Sequence, residues 1–303
     1  MMVMKKKHCM VKKNRTKHYS ARYAQTVILM NDDSSQDHSM NYSKHMKHIS
    51  IPILNNSCLI FKYFWYGLIV LETLTYQTSS YPPCRQWALC AFDDLIEFTG
   101  PASAVYQPHF MQIMISSLLD PAHEVRQASA YGVGVAAQFG GEPYVSHCAS
   151  ALSHLFTMIK SSNGDQDELA YARENAISAI GKICHYASGS GAFDVNAVLV
   201  EWIQTLPIVK DEEEAGHTYS YLMDLIESGH PSLSSLSTPA HLAFVLVEAL
   251  AAPTLLQDQK ELSARIASGV SKLVMGLDEN GRNGLWSRLS QEKRARLSER
   301  GYF

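Results

Sequence analysis

The sequence predicts an all-α protein built as a right-handed solenoid of antiparallel helix pairs. Three observations predict it. From Tyr81 onward amphipathic stretches of ten to twenty residues alternate with short Gly, Pro, Ser and Asp breaks. No period-two stretch long enough for a strand interrupts them. And similar runs recur at spacings of roughly 40–47 residues, the repeat length of HEAT and armadillo helix pairs.

The helices follow in order. The first covers about Cys84 to Phe98, with Ala88, Ala91, Phe92, Leu95 and Ile96 on one face. Gly100-Pro101 ends it. The second runs from about Tyr106 to Leu119. Asp120 then offers an N-cap, with Pro121 at the first helical position, for a helix closing at Gly140-Gly141. Further helices are expected over Pro143–Ile159, Glu168–Tyr186 and Val195–Leu206. Asp211 caps the next, whose first turn, Glu212-Glu213-Glu214, suits the positive end of the helix dipole. It reaches Ser228, ahead of Gly229-His230-Pro231. Stretches at Pro239–Leu250, Leu256–Met275 and Gln291–Arg300 complete the set.

The second helices of successive pairs align on Arg85-Gln-Trp-Ala88, Arg126-Gln-Ala-Ser129 and Arg173-Glu-Asn-Ala176. The small residues Ala91, Gly132 and Ala179 follow, and the segment from Gly216 fits the same frame. A single pair cannot bury its apolar face, so pairs stack, and small residues let neighbouring helices approach. Residues 81–303 therefore read as a HEAT-repeat solenoid of about five repeats. Trp87 and Phe92 are expected in its core. Arg126 and Arg173 are expected to pair with carboxylates between repeats.

Residues 1–80 differ in style. They hold eleven Lys and Arg against four Asp and Glu, whereas residues 81–303 hold fifteen against twenty-five. Residues 1–50, rich in Met, Lys, His, Ser and Asn, have the composition of a disordered segment. Lys5-Lys6-Lys7 and Lys12-Lys13 resemble a basic localisation patch, and equally a solvated tail. The apolar run from Cys58 to Leu71, about 14 residues interrupted by Lys62, is too short for a membrane span and reads as one helix near 58–75. The change of style near residue 80 also fits a mis-joined gene model.

Chemistry-bearing patterns are sparse. Gly132-Val-Gly134 lies within a helix and lacks the strand and third glycine of a nucleotide loop. His147-Cys148 and Cys184-His185 do not have metal-site spacing. The six cysteines form no CxxC pair and read as reduced thiols. The expectation is a protein with no catalytic residues, cofactor or metal, no direct nucleic-acid contact and no membrane segment: not an enzyme.

Several runs resemble one family. Arg85-Gln-Trp-Ala-Leu-Cys-Ala-Phe-Asp-Asp94 is similar to the karyopherin-β (importin-β) receptors. So are Glu124-Val-Arg-Gln-Ala-Ser-Ala-Tyr-Gly-Val-Gly134, Ala137-Gln-Phe-Gly-Gly141 and Glu174-Asn-Ala-Ile-Ser-Ala-Ile-Gly-Lys182. Tyr221-Leu-Met-Asp-Leu-Ile-Glu-Ser228 and Gly284-Leu-Trp286 continue the match in order. The likeness covers about residues 81–303, to the C-terminal repeats of the branch called importin five or importin beta three. It implies a carrier working between cytoplasm and nucleus through the nuclear pore. It also implies partners: basic cargo such as ribosomal proteins, phenylalanine-glycine nucleoporins, and the GTPase Ran, whose main binding repeats would be absent here. The family lines its concave face with second helices. On that basis Asp93, Asp94, Glu97, Asp224 and Glu227 are candidates for an acidic cargo surface, although such carboxylates also line ordinary solvated helix faces. The alternatives are a generic HEAT scaffold and a truncated product without transport activity.

Overall fold

In the computed structural model, the described residues are 73–302 apart from 75, 162–166, 236–238 and 257. Residues 1–72, and with them the expected basic segment and most of the apolar helix near 58–75, lie outside the described residues. The described residues are helical, with no strand among them. In chain order the helices are α1 (Pro82–Thr99), α2 (Gln107–Ser117), α3 (His123–Phe139), α4 (Val145–Ser161), α5 (Asp167–Tyr186) and α6 (Val195–Thr205). They continue with α7 (Glu212–Ser228), α8 (Ser232–Ser235), α9 (Pro239–Ala251), α10 (Lys260–Met275), α11 (Glu279–Ser287) and α12 (Gln291–Glu299).

The helices form two layers. One is a row of second helices, α1, α3, α5, α7 and α10, each packed on the next. The other holds the first helices: α2 packs on α4, and α6 on the short α8. Pairs α2/α3, α4/α5 and α9/α10 pack internally across the layers. The fold is therefore the expected HEAT-type solenoid, and its core is the seam between the layers. Phe92, Phe110, Met114, Tyr144, Leu155, Trp202 and Tyr219 are all essentially inaccessible there.

The caps show why the breaks fall where they do. Asp211 accepts the backbone N–H groups of Glu213 and Glu214, as expected of an N-cap before an acidic first turn. Asp194 caps α6 in the same way. Gly229 ends α7 in the left-handed region that glycine enters without a Cβ clash. Asp120 departs from expectation. Helix α3 begins at His123, two residues beyond Pro121, and the Asp120 carboxylate accepts both from Arg85 of α1 and from the Ala122 N–H just ahead of the helix. Leu255 and Leu256 are buried in the turn before α10, which starts at Lys260 and not at Leu256.

Two side-chain expectations are corrected. Phe92 is 1% exposed, but Trp87 is 54% exposed and is not core. It lies about a quarter turn off the stripe of Ala88, Leu89, Phe92 and Ile96, and its face of α1 also carries the exposed Phe98. Arg126 and Arg173 are structural but bond carbonyl oxygens, not carboxylates. Arg126 Nη1 donates to Asp120 and Pro121, and Arg173 Nη2 to Thr205. Thr205 is the last residue of α6, where the carbonyls have no intrahelical donors, and the Asp120 and Pro121 carbonyls lie in the turn between α2 and α3.

Candidate functional site

The row of second helices is close-packed because small residues sit where the helices touch. Cβ atoms built at Gly134 would lie 3.1 Å from Lys182 Cδ, and at Gly132 2.0 Å from Asp93 Oδ1. That close approach brings long polar side chains of one helix onto the next.

Between α5 and α7 these side chains form a buried network. Lys182 Nζ lies 2.7 Å from Glu214 Oε2, and both side chains are under a tenth exposed. Ser178 also donates to Glu214. Burial pushes the Glu214 carboxyl up, but the Lys182 ammonium and the Ser178 hydroxyl outweigh it and hold the group below its ordinary value. The Glu174 carboxylate accepts three backbone N–H groups, from Val209, Lys210 and Asp211, at 2.7–2.9 Å. Asn175 donates to Asp211 at 2.7 Å. Burial, with the neighbouring charges of Glu214 and Glu174, pushes Asp211 up to about 7. A network this fully bonded fixes the angle between two repeats.

Beside it stands a stack of rings. His185 lies 4.4 Å from Tyr186 at 17° and 4.5 Å from Tyr221 at 7°. His185 Nδ1 is 3.3 Å from His217 Nε2 on the facing helix. Burial, the Lys182 charge and His185 push His217 down to about 4, so its ring is neutral at pH 7. Lys182 also sits 5.5 Å from the Tyr131 ring of α3.

The five carboxylates expected on this surface are divided by the structure. Asp93 is 2% exposed and packs against α3, where a Cβ on Gly132 would meet its Oδ1. It does not belong to an accessible surface. Its helical position points at the neighbouring helix, and only the packed structure reveals that Gly132 leaves room there. Asp94 and Glu97 are partly exposed on α1. Glu97 lies close enough to Tyr131, with Asp93, Glu213 and Glu214, to hold that burial-raised phenol above its ordinary range. Asp224 and Glu227 are exposed on α7 but already hold a cation. Arg265 of α10 donates through Nη2 to Asp224 at 2.6 Å, and through Nε and Nη2 to Glu227 at 2.8 and 2.6 Å. That pairing drives Glu227 below its ordinary value.

Sequence reasoning missed the ring stack. Glu213, His217, Tyr221 and Asp224 recur at helical spacing along α7, and that spacing was the available signal. Burial pushes the Cys148 and Cys184 thiols up to about 12. Among the described residues no cluster of His, Cys, Asp and Glu could hold a metal ion, and no helix is long and apolar enough to cross a membrane.

No family model matches the chain. Importin subunit beta-3 of Saccharomyces cerevisiae is 28% identical over 202 residues, covering 67% of this chain and 18% of that protein. A probable importin-5 homolog of Dictyostelium discoideum is 30% identical over 144 residues, covering 46% of this chain and 13% of its own length. Among solved structures, the karyopherin Kap121p bound to the SUMO protease Ulp1p matches with a TM-score of 0.63 and 26% identity, over 78% of this chain and 21% of its own. Kap121p also matches in its complexes with RanGTP and with Nup53p, where identities of 23% and 22% speak to the fold alone. The chain thus spans between 13% and 21% of the length of these relatives. In sequence and in fold alike, it is similar to the karyopherin-β (importin-β) receptors.

Proposed function

We propose that this chain acts in protein import into the nucleus as a karyopherin-β receptor or a part of one, binding cargo on its row of second helices. The observation that supports this reading is the mixture of carboxylates and rings along that row: Asp94 and Glu97 on α1, Tyr131 on α3, His185 and Tyr186 on α5, and Glu213, Tyr221, Asp224 and Glu227 on α7. Helix α7 carries five carboxylates and no lysine or arginine. A basic cargo segment, such as a ribosomal-protein tail, is complementary to it. Its lysines and arginines would compete with Arg265 for Asp224 and Glu227. The mechanism is binding and release, with no bond chemistry and no cofactor. Nucleoporins and Ran in its GTP form are the remaining partners of the reading, and cytoplasm, nucleus and nuclear pore its locations. Residues 1–80 form a separate basic segment in it, and residues 81–303 the solenoid.

The test is a pull-down by the full chain, with a basic ribosomal protein and a phenylalanine-glycine nucleoporin fragment as baits, with and without Ran in its GTP form. Cargo capture that weakens with salt supports the reading, because exposed charge pairs are screened. Asp94→Asn with Glu97→Gln should then weaken it further. A folded, monomeric chain that captures neither bait would overturn the reading and leave a generic scaffold.

A further inference from the structure

The ring stack is more than a place where two repeats touch. Its members are not all buried: Tyr186 is 43% exposed and His185 is exposed, while Tyr221 at 8% anchors the far side. The rings of His185, Tyr186 and Tyr221 are within 17° of parallel at the two stacked contacts. Stacked rings open to solvent present a flat, electron-rich face.

The charges around it are equally specific. On α7, Glu213 lies one turn before His217 and Asp224 one turn after Tyr221, both exposed. The only lysine and arginine on α5 are committed elsewhere, Lys182 to Glu214 and Arg173 to the Thr205 carbonyl. His217 stays uncharged at neutral pH. Neither helix carries an uncommitted lysine or arginine, and Arg265 of α10 is itself bonded to Asp224 and Glu227, which leaves Glu213 as the open carboxylate on this face.

We infer that Tyr186, with His185 and Tyr221 stacked behind it, forms a stacking subsite for the guanidinium of an arginine in an extended segment of a partner protein, with Glu213 accepting its in-plane N–H groups. The inference rests on the receptor reading above and narrows it from basic cargo to arginine-bearing cargo. A guanidinium is planar and weakly hydrated, so it stacks on a ring while its edge donates to carboxylates; an ammonium is a compact, strongly hydrated point charge.

The experiment measures fluorescence anisotropy of the full chain with a labelled peptide alternating arginine and serine. A lysine-serine peptide of equal length and a labelled oligouridine are the comparisons. The arginine peptide should bind about two- to fivefold more tightly than the lysine peptide, the range expected of an exposed cation–π contact. Tyr186→Ala should remove that preference and Tyr186→Phe should keep it. Because Tyr186 is half-exposed, both variants should melt with the parent chain, which circular dichroism checks. Equal affinity for the two peptides, with binding still sensitive to salt, overturns the subsite and leaves the acidic-surface reading standing. A preference that survives Tyr186→Ala, in a folded variant, overturns it too. Oligouridine binding more tightly than either peptide would make the rings a nucleobase platform and overturn it as well. Failure of both peptides to bind overturns the subsite and the receptor reading together.

Discussion

Lys182 and Glu214 illustrate how much a single buried pair decides. Replacing Lys182 with Met leaves the Glu214 carboxylate buried without its cation, and the expected cost is about 3–5 kcal/mol in urea unfolding. Adding Glu214→Leu should recover much of it. Because Glu214 is held below its ordinary value in the folded chain, its contribution is present above that ordinary value and disappears as the pH falls below it. His217 adds a second acid-side dependence. Its value drops from 6.5 to about 4 on folding, so the folded state binds this proton more weakly than the unfolded chain. The associated stability is complete above pH 6.5 and is lost as pH falls toward 4. Melting curves across that window should flatten in His217→Gln. Cys148 and Cys184, pushed up to about 12, should resist iodoacetamide at pH 8 in the native chain and react on unfolding. Of these residues the cysteines were singled out in the sequence, and Glu214 only as part of an acidic first turn. Lys182 closed a family-like run, but nothing local marks it as the partner of Glu214, thirty-two positions away.

At the scale of the helices, contact distance between second helices is the controlling quantity. A methyl group at Gly132 would sit 2.0 Å from Asp93 Oδ1 and 2.7 Å from Met114 Cε. Gly132→Ala should therefore force α1, α2 and α3 apart and destabilise by about 1–3 kcal/mol. Gly189→Ala, with open space around it, is the control and should be neutral or slightly stabilising in the same unfolding assay. Helix existence and order were readable because apolar residues recur at 3.6-residue spacing and Gly, Pro and Asp punctuate them. The short α8 and α11 escaped notice. Four residues of α8 are too few for a periodic signal, and α11 buries only Leu285 among nine mostly polar residues. The start of α3 was misplaced, and the bidentate bond that Asp120 accepts from Arg85 is a contact between repeats.

Across the molecule, stability should vary along the row. Helix α5 is buried along most of its described length and is tied to α7 by the polar network, whereas α11 and α12 bury one residue each. In a structure where each repeat rests on its neighbours, amide hydrogen exchange should be slowest in α5 and fastest in α11 and α12. The exception is the end of α9. Arg300 donates to the carbonyls of Leu250, Ala252 and Pro253, and Arg296 to that of Ala251. These guanidinium groups satisfy the C-terminal carbonyls of α9 that no backbone donor reaches. Arg300→Ala should accelerate exchange at the α9 end and cost about 1–3 kcal/mol.

What the sequence determined by itself was the class of the protein. Helical periodicity, punctuation and a repeat spacing are local or near-local properties, and they carried the solenoid and most helix positions; the resemblance to transport receptors rested on separate residue runs such as Glu124-Val-Arg-Gln-Ala-Ser-Ala-Tyr-Gly-Val-Gly134. What the tertiary structure decided was the fate of individual surface groups. Asp93 and Glu97, one turn apart, sit side by side on a helical projection of α1, yet packing against α3 buries the first and leaves the second partly exposed. Asp224 and Glu227 look like open acids until α10 delivers Arg265. His185 and Tyr221 form a ring stack only because α5 and α7 are neighbours. Periodicity assigns a residue to one face of its own helix, but burial and pairing depend on what the next helix places opposite, and that is set by stacking between repeats about forty residues apart.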